Sequence, residues 1–166
     1  MEGNNADDAI LKEIYPEADH LSLFALTMGE KVSSIIEDFF DRNDYALAAM
    51  LDSVASMAAD KTSTFLEKYY HNYLENEKST DKDFAVLGYS PGYCGWDVSG
   101  QKKLFEYLKP SQIGITINDS CLMTPIKAVS GILVGGDKEA HIFQMGFSYC
   151  DLCKTISCQE RISTLY

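Results

Sequence analysis

The hydrophobic positions change their period near the middle of the chain. In His20–Thr27 (HLSLFALT) apolar residues crowd a short run that stops at Met28-Gly29, the pattern of a buried strand. Val32, Ile35, Ile36, Phe39 and Phe40 then recur at helical intervals and predict a helix over 29–41. Arg42-Asn43-Asp44 interrupts it, and Asp44 is placed to cap a second helix. From Tyr45 to about Asn76 there is no glycine or proline, and Leu47, Leu51, Val54, Ala58, Phe65 and Tyr69 keep helical spacing. One helix of roughly 45 Å is expected there, at about 1.5 Å per residue. Its many small residues, among them Ala48, Ala55 and Ala59, predict a close neighbour, either a packed element or a cofactor lying against the helix.

Beyond a polar loop at 76–82 the runs shorten. Phe84–Tyr89 reads as a strand. Asp97 is placed to cap a helix over 98–108, with Leu104, Tyr107 and Leu108 inward. Residues 113–118 alternate and read as a strand. A further strand over 128–134, closed by a turn at Gly135-Gly136-Asp137, leads to another over 140–149. Residues 132–134 and 142–147 are therefore expected to form a hairpin. Helices fill much of the first half and strands dominate the second, which is an α+β pattern.

Size supports a single domain over 1–166, because 46% hydrophobic residues can build a real core. The net charge of -11 is uneven: residues 1–80 hold 16 acids and 6 bases, and residues 81–166 hold 9 and 8. Such an acidic half repels phosphate backbones, so nucleic acid is not an expected partner. No apolar run approaches the roughly 20 residues that cross a bilayer, so no membrane partner is expected either. The start, MEGNNADDAILKEIYPEAD, lacks the basic-then-apolar order of a signal peptide, and the chain reads as cytoplasmic.

The densest stretch chemically is LGYSPGYCGW, residues 87–96. Ser90-Pro91-Gly92-Tyr93 fits a type II turn, with proline presetting the first corner and glycine accepting positive φ at the second. Glycines at 88, 92 and 95 would let a ligand approach bare backbone. Tyr89, Tyr93 and Trp96 add flat faces with polar tips. Two readings stay open: a seat for a planar, partly polar ligand such as adenine, or an aromatic plug under a turn.

This turn, followed by IGITINDSCLMTPIKAVSG, resembles the activation domain of vitamin-B12-dependent methionine synthase. The counterparts of the family's motifs are Pro91-Gly92-Tyr93, then Asn118-Asp119-Ser120, Met123, Pro125 and Val129-Ser130-Gly131. The resemblance implies a helmet-like domain over a central, mainly antiparallel sheet. It implies binding of S-adenosylmethionine as methyl donor and reactivation of the cobalamin held by a partner corrinoid protein. Whether this chain is itself an enzyme is left open. The binding residues it implies are Tyr89, Pro91, Gly92 and Tyr93, with Asp119 and Ser120 as further contacts. Gly88 stands where the family carries an arginine, and Leu133 where it carries a tyrosine. Such an arginine would clamp a ligand carboxylate, and its loss would remove about 1.5–3 kcal/mol of charged hydrogen bonding.

All five cysteines lie in the second half, and an odd set without a signal peptide points to free thiols, redox work or metal. Cys150, Cys153 and Cys158 form a C-x2-C-x4-C tail over 150–158, which resembles the cysteine-rich tail of stand-alone relatives of that domain in anaerobes. Thiolates so spaced can hold zinc or an iron–sulfur cluster, with Cys94 or Cys121 as a fourth ligand or with an open site on the cluster. The alternative function is then a cysteine–metal module that carries electrons or serves as a binding scaffold for a corrinoid protein. His20, His71 and His141 show no ligand spacing and read as structural or surface residues, and Asp60 and Glu67 read as solvated. No phosphate loop, nucleophile elbow or H-E-x-x-H occurs.

Overall fold

The computed structural model describes residues 18–77, 83–93 and 96–141. Strand β1 (His20–Thr27), helix α1 (Glu30–Asp41), helix α2 (Tyr45–Asn76), strand β2 (Phe84–Tyr89) and helix α3 (Gly100–Leu108) occur in chain order. Then come β3 (Thr116–Ile117), β4 (Met123–Thr124) and β5 (Ala128–Asp137), with 3-10 turns at Pro110–Ile113 and Lys138–His141. This is an α+β fold.

Strand β5 is the centre of a three-stranded sheet in the order β1-β5-β2. Both of its neighbours are antiparallel: His20 pairs with Gly135 and Thr27 with Ala128, while Phe84 pairs with Asp137 and Tyr89 with Ile132. Gly135-Gly136-Asp137 is thus the end of a long strand and not a turn. The hairpin expected between 132–134 and 142–147 does not use those edges of β5, because β1 and β2 occupy both. Residues 142–149 lie outside the described residues.

The remaining differences are local. Residues 113–118 are mostly not strand, because Ile113 closes a 3-10 turn and Gly114 takes φ 77°, leaving only Thr116–Ile117 extended. Asn43, with φ 62°, breaks the chain between α1 and α2 as expected, but the Asp44 side chain makes no capping bond. The Asp97 carboxylate accepts the N–H of Ser99 at 2.8 Å, and α3 begins only at Gly100, two residues later than expected. In α3, Leu104 is buried but Tyr107 is 77% exposed.

Helix α2 turns a different face inward than its large apolar residues suggest. Its buried positions are Ala48, Ala55, Ala59, Glu67 and Leu74. Leu47, Val54, Phe65 and Tyr69 face solvent together with Met50 and Met57. The inner face is small because α1 and the sheet come close to it. Leu74 joins Phe24, Phe84, Val86 and Leu133 in the core between α2 and the sheet. Burying such side chains stabilises by about 1.5–3 kcal/mol each.

Helix α2 also covers the outer edge of β2, all six of whose residues are buried. Glu67 Oε1 accepts the N–H of Gly88 at 2.8 Å, and His71 Nε2 lies 3.3 Å from the carbonyl oxygen of Phe84. Glu67 and His71 are four apart on one helix face, matching Phe84 and Gly88 four apart along one strand edge. Glu67 is 5% exposed, so the expectation of a solvated carboxylate is wrong. The unsatisfied main chain of a strand edge gives a helix carboxylate a reason to be buried.

Candidate functional site

The turn after β2 has the geometry its sequence predicts. Gly92 takes φ 90°, and the N–H of Tyr93 donates to the carbonyl of Ser90 at 3.2 Å, which is a type II turn. The N–H of Gly92 donates to the carbonyl of Trp96 at 2.7 Å, and the N–H of Trp96 to the carbonyl of Tyr93 at 2.9 Å. The amides of Gly92 and Tyr93 are therefore spent inside the turn and are not offered to a ligand. Among the described residues, the carbonyls of Pro91 and Gly92 accept no main-chain bond. A methyl group on Gly92 would meet nothing within 4 Å, so the space beside it is open.

The three aromatic residues have three different fates. Tyr93 is 57% exposed. Trp96 is half-buried with its indole against Gly100, so that any side chain at 100 would collide with it. Tyr89 is 8% exposed, and its hydroxyl lies 3.0 Å from His141 Nδ1. The Tyr89 and His141 rings stack with centroids 6.2 Å apart and an interplanar angle of 14°. His141 is fully buried, and its Nε2 lies 3.3 Å from the carbonyl oxygen of Ala85. Burial holds its pKa below the ordinary histidine value, against a smaller opposing effect of the Ala85 carbonyl. Of the two similar tyrosines, Tyr89 is therefore packed inward beneath the turn, whereas Tyr93 is open to solvent.

Gly88 does not serve ligand approach. It is buried, its N–H is held by Glu67, and a Cβ there would stand 2.8 Å from the carboxylate oxygen and 3.6 Å from Leu133. Leu133 is 2% exposed, a core residue. Gly95 and the proposed metal ligands Cys94, Cys150, Cys153 and Cys158 lie outside the described residues. Among the described residues no cluster of three His, Cys, Asp or Glu side chains could hold a metal, and Cys121 is a buried free thiol.

The second motif builds a separate turn. Asp119 and Ser120 are exposed between β3 and β4. Asn118 organises that turn: its carbonyl accepts the N–H of Cys121 at 2.9 Å, and its Oδ1 accepts that of Leu122 at the same distance. The Val129-Ser130-Gly131 motif, by contrast, packs against the Ser90–Tyr93 turn and α3. Ser130 Oγ donates to Gln101 Oε1 at 3.0 Å, tying β5 to α3. A methyl group on Gly131 would run into the Tyr89 carbonyl oxygen and stand 2.9 Å from Ser90 Oγ, so only glycine lets β5 pass under the turn. Lys127, just before β5, bonds Ser56 Oγ and Asp52 Oδ1 of α2, both at 2.8 Å. Sequence reasoning missed Glu67, Gln101, Lys127 and the role of His141, because each acts on a partner at least 21 residues away.

The comparisons with known proteins agree with the α+β fold. A solved structure described as the MetH reactivation domain bound to AdoHcy matches with a TM-score of 0.58 at 21% identity. The match covers 69% of this chain and 38% of that one, so the chain spans well under half the length of that structure. No curated protein matches the chain. A family model described as the vitamin B12 dependent methionine synthase activation domain matches residues 4–156, and the chain belongs to that family.

Proposed function

We propose that this chain helps return the cobalamin of a corrinoid-dependent methyltransferase to its active state, with S-adenosylmethionine as methyl donor. The observation that carries this reading is the open type II turn at Ser90–Tyr93, set at the end of a buried strand in a member of this family. The related fold described as bound to AdoHcy, the demethylated form of that donor, supports it. Once bound, the donor would supply a methyl cation to partner cobalt that an external one-electron reductant has brought to the cob(I) state, and AdoHcy would leave.

The residues present fit an adenosyl group in a specific way. The Tyr93 ring offers an exposed face for stacking, and the carbonyls of Pro91 and Gly92 can accept from an exocyclic amine. Open space beside Gly92 lets a flat ring lie close to the main chain. Asp119 and Ser120 are exposed and can contribute polar contacts from the second turn. With Gly88 and the Glu67 carboxylate at the family's arginine position, nothing there clamps a ligand carboxylate, so recognition rests on the adenosine end. The exposed apolar row of α2, Met50, Val54, Met57, Phe65 and Tyr69, suits contact with a protein partner.

Calorimetry on the whole chain tests this reading. AdoHcy and S-adenosylmethionine should both release or absorb heat, and Tyr93→Ala should weaken binding about tenfold through lost stacking. Absence of binding by the unaltered chain refutes it.

A further inference from the structure

We propose that His141 is a positioning residue for the ligand turn, acting through the Tyr89 hydroxyl. The proposal rests on reading that turn as the ligand seat, but its geometry stands without a ligand.

The partners assign the proton. The Ala85 carbonyl can only accept, and it lies 3.3 Å from Nε2, so Nε2 carries the hydrogen. Nδ1 of the neutral ring is then a bare acceptor, and the Tyr89 hydroxyl at 3.0 Å donates to it. Burial keeps the ring neutral, consistent with this tautomer. His141 therefore ties the first half of β2, at Ala85, to its last residue, Tyr89.

The tie matters because Tyr89 is the last residue before the turn. Ser90 comes next, and its carbonyl closes the turn by accepting the Tyr93 N–H. The Tyr89 carbonyl lies over Gly131, where β5 leaves no room for a methyl group. The side chain of Tyr89 is pinned by His141 and its main chain by β5, so the turn leaves the sheet in one direction. Tyr89 is then not a ligand contact itself; its hydroxyl is committed to the imidazole.

Nitrogen-15 NMR of the whole chain tests the assignment directly. His141 should show the Nε2–H tautomer with Nδ1 accepting, and the Nδ1–H tautomer overturns the proposal. Hydrogen exchange at the Gly92 and Tyr93 amides should accelerate about tenfold in Tyr89→Phe, which keeps the ring and removes only the hydroxyl. Unchanged exchange there also overturns it. For binding, His141→Phe and Tyr89→Phe should each weaken AdoHcy about tenfold, with the double variant no worse than either alone. His141→Asn, which restores an acceptor, should recover most of the loss. Additive effects, or full affinity in a folded His141→Phe, refute the positioning role. If the unaltered chain binds no AdoHcy, the ligand reading fails, while tautomer and amide exchange still decide the role of His141.

Discussion

Gly131→Ala separates a steric reading of the family motif from a sequence-pattern one. The added methyl would collide with the Tyr89 carbonyl oxygen, stand 2.9 Å from Ser90 Oγ and 3.0 Å from the Phe24 ring. Ser90 Oγ can rotate away, but the Tyr89 carbonyl belongs to the main chain and Phe24 is 6% exposed in the core. Relief therefore requires β5 and the end of β2 to separate where Tyr89 pairs with Ile132. Overpacking of this kind costs typically 1–3 kcal/mol, and a clash with immobile main chain belongs at the upper end, about 3 kcal/mol. For a chain of this size that lowers Tm by about 6–12 °C. Differential scanning calorimetry measures it, with Gly92→Ala as the control. At Gly92 a methyl group meets nothing within 4 Å, so the cost is only that of a left-handed backbone at φ 90°, about 1–2 kcal/mol. A Gly131→Ala variant melting within about 2 °C of the unaltered chain would show that β5 does not run closely under the start of the Ser90–Tyr93 turn.

Three further outcomes rest on buried polar groups. Glu67→Ala removes the carboxylate that accepts the Gly88 N–H and should cost about 1–3 kcal/mol in urea unfolding; an unchanged midpoint would mean that this edge of β2 is satisfied some other way. Ser130→Ala deprives the buried Gln101 Oε1 of its donor and should cost about 1 kcal/mol, with loss of the tie between β5 and α3 visible as faster amide exchange in α3. His141 makes stability depend on pH: its folded pKa lies below its unfolded value near 6.5, so the unfolded chain binds the proton more readily. Stability should be full above that value and fall as the pH drops below it, and His141→Asn should lose this part of the slope; an identical slope in the variant would place the titration elsewhere.

Local pattern carried the elements well. β1, the α1 and α2 helices and β2 were legible because each is a run of uniform period bounded by glycine, by Asn43 or by a polar loop. The Ser90–Tyr93 turn was legible for a related reason: proline and glycine fix their own dihedral angles, whatever surrounds them. Its family identity was legible in the motif order.

Tertiary contact decided what pattern could not. Which face of α2 is buried depended on how near α1 and the sheet come, and close approach favoured Ala48, Ala55 and Ala59 over larger side chains. The two edges of β5 are taken by β1 and β2, although α1 and the long α2 lie between β1 and β2 in the chain and α3 lies between β2 and β5. No short hairpin rule can foresee that outcome. Tyr89 and Tyr93 look alike in sequence, yet one faces a buried imidazole and the other faces solvent. A residue type sets which bonds a side chain can form; only the folded chain sets which partner stands within about 3 Å of it.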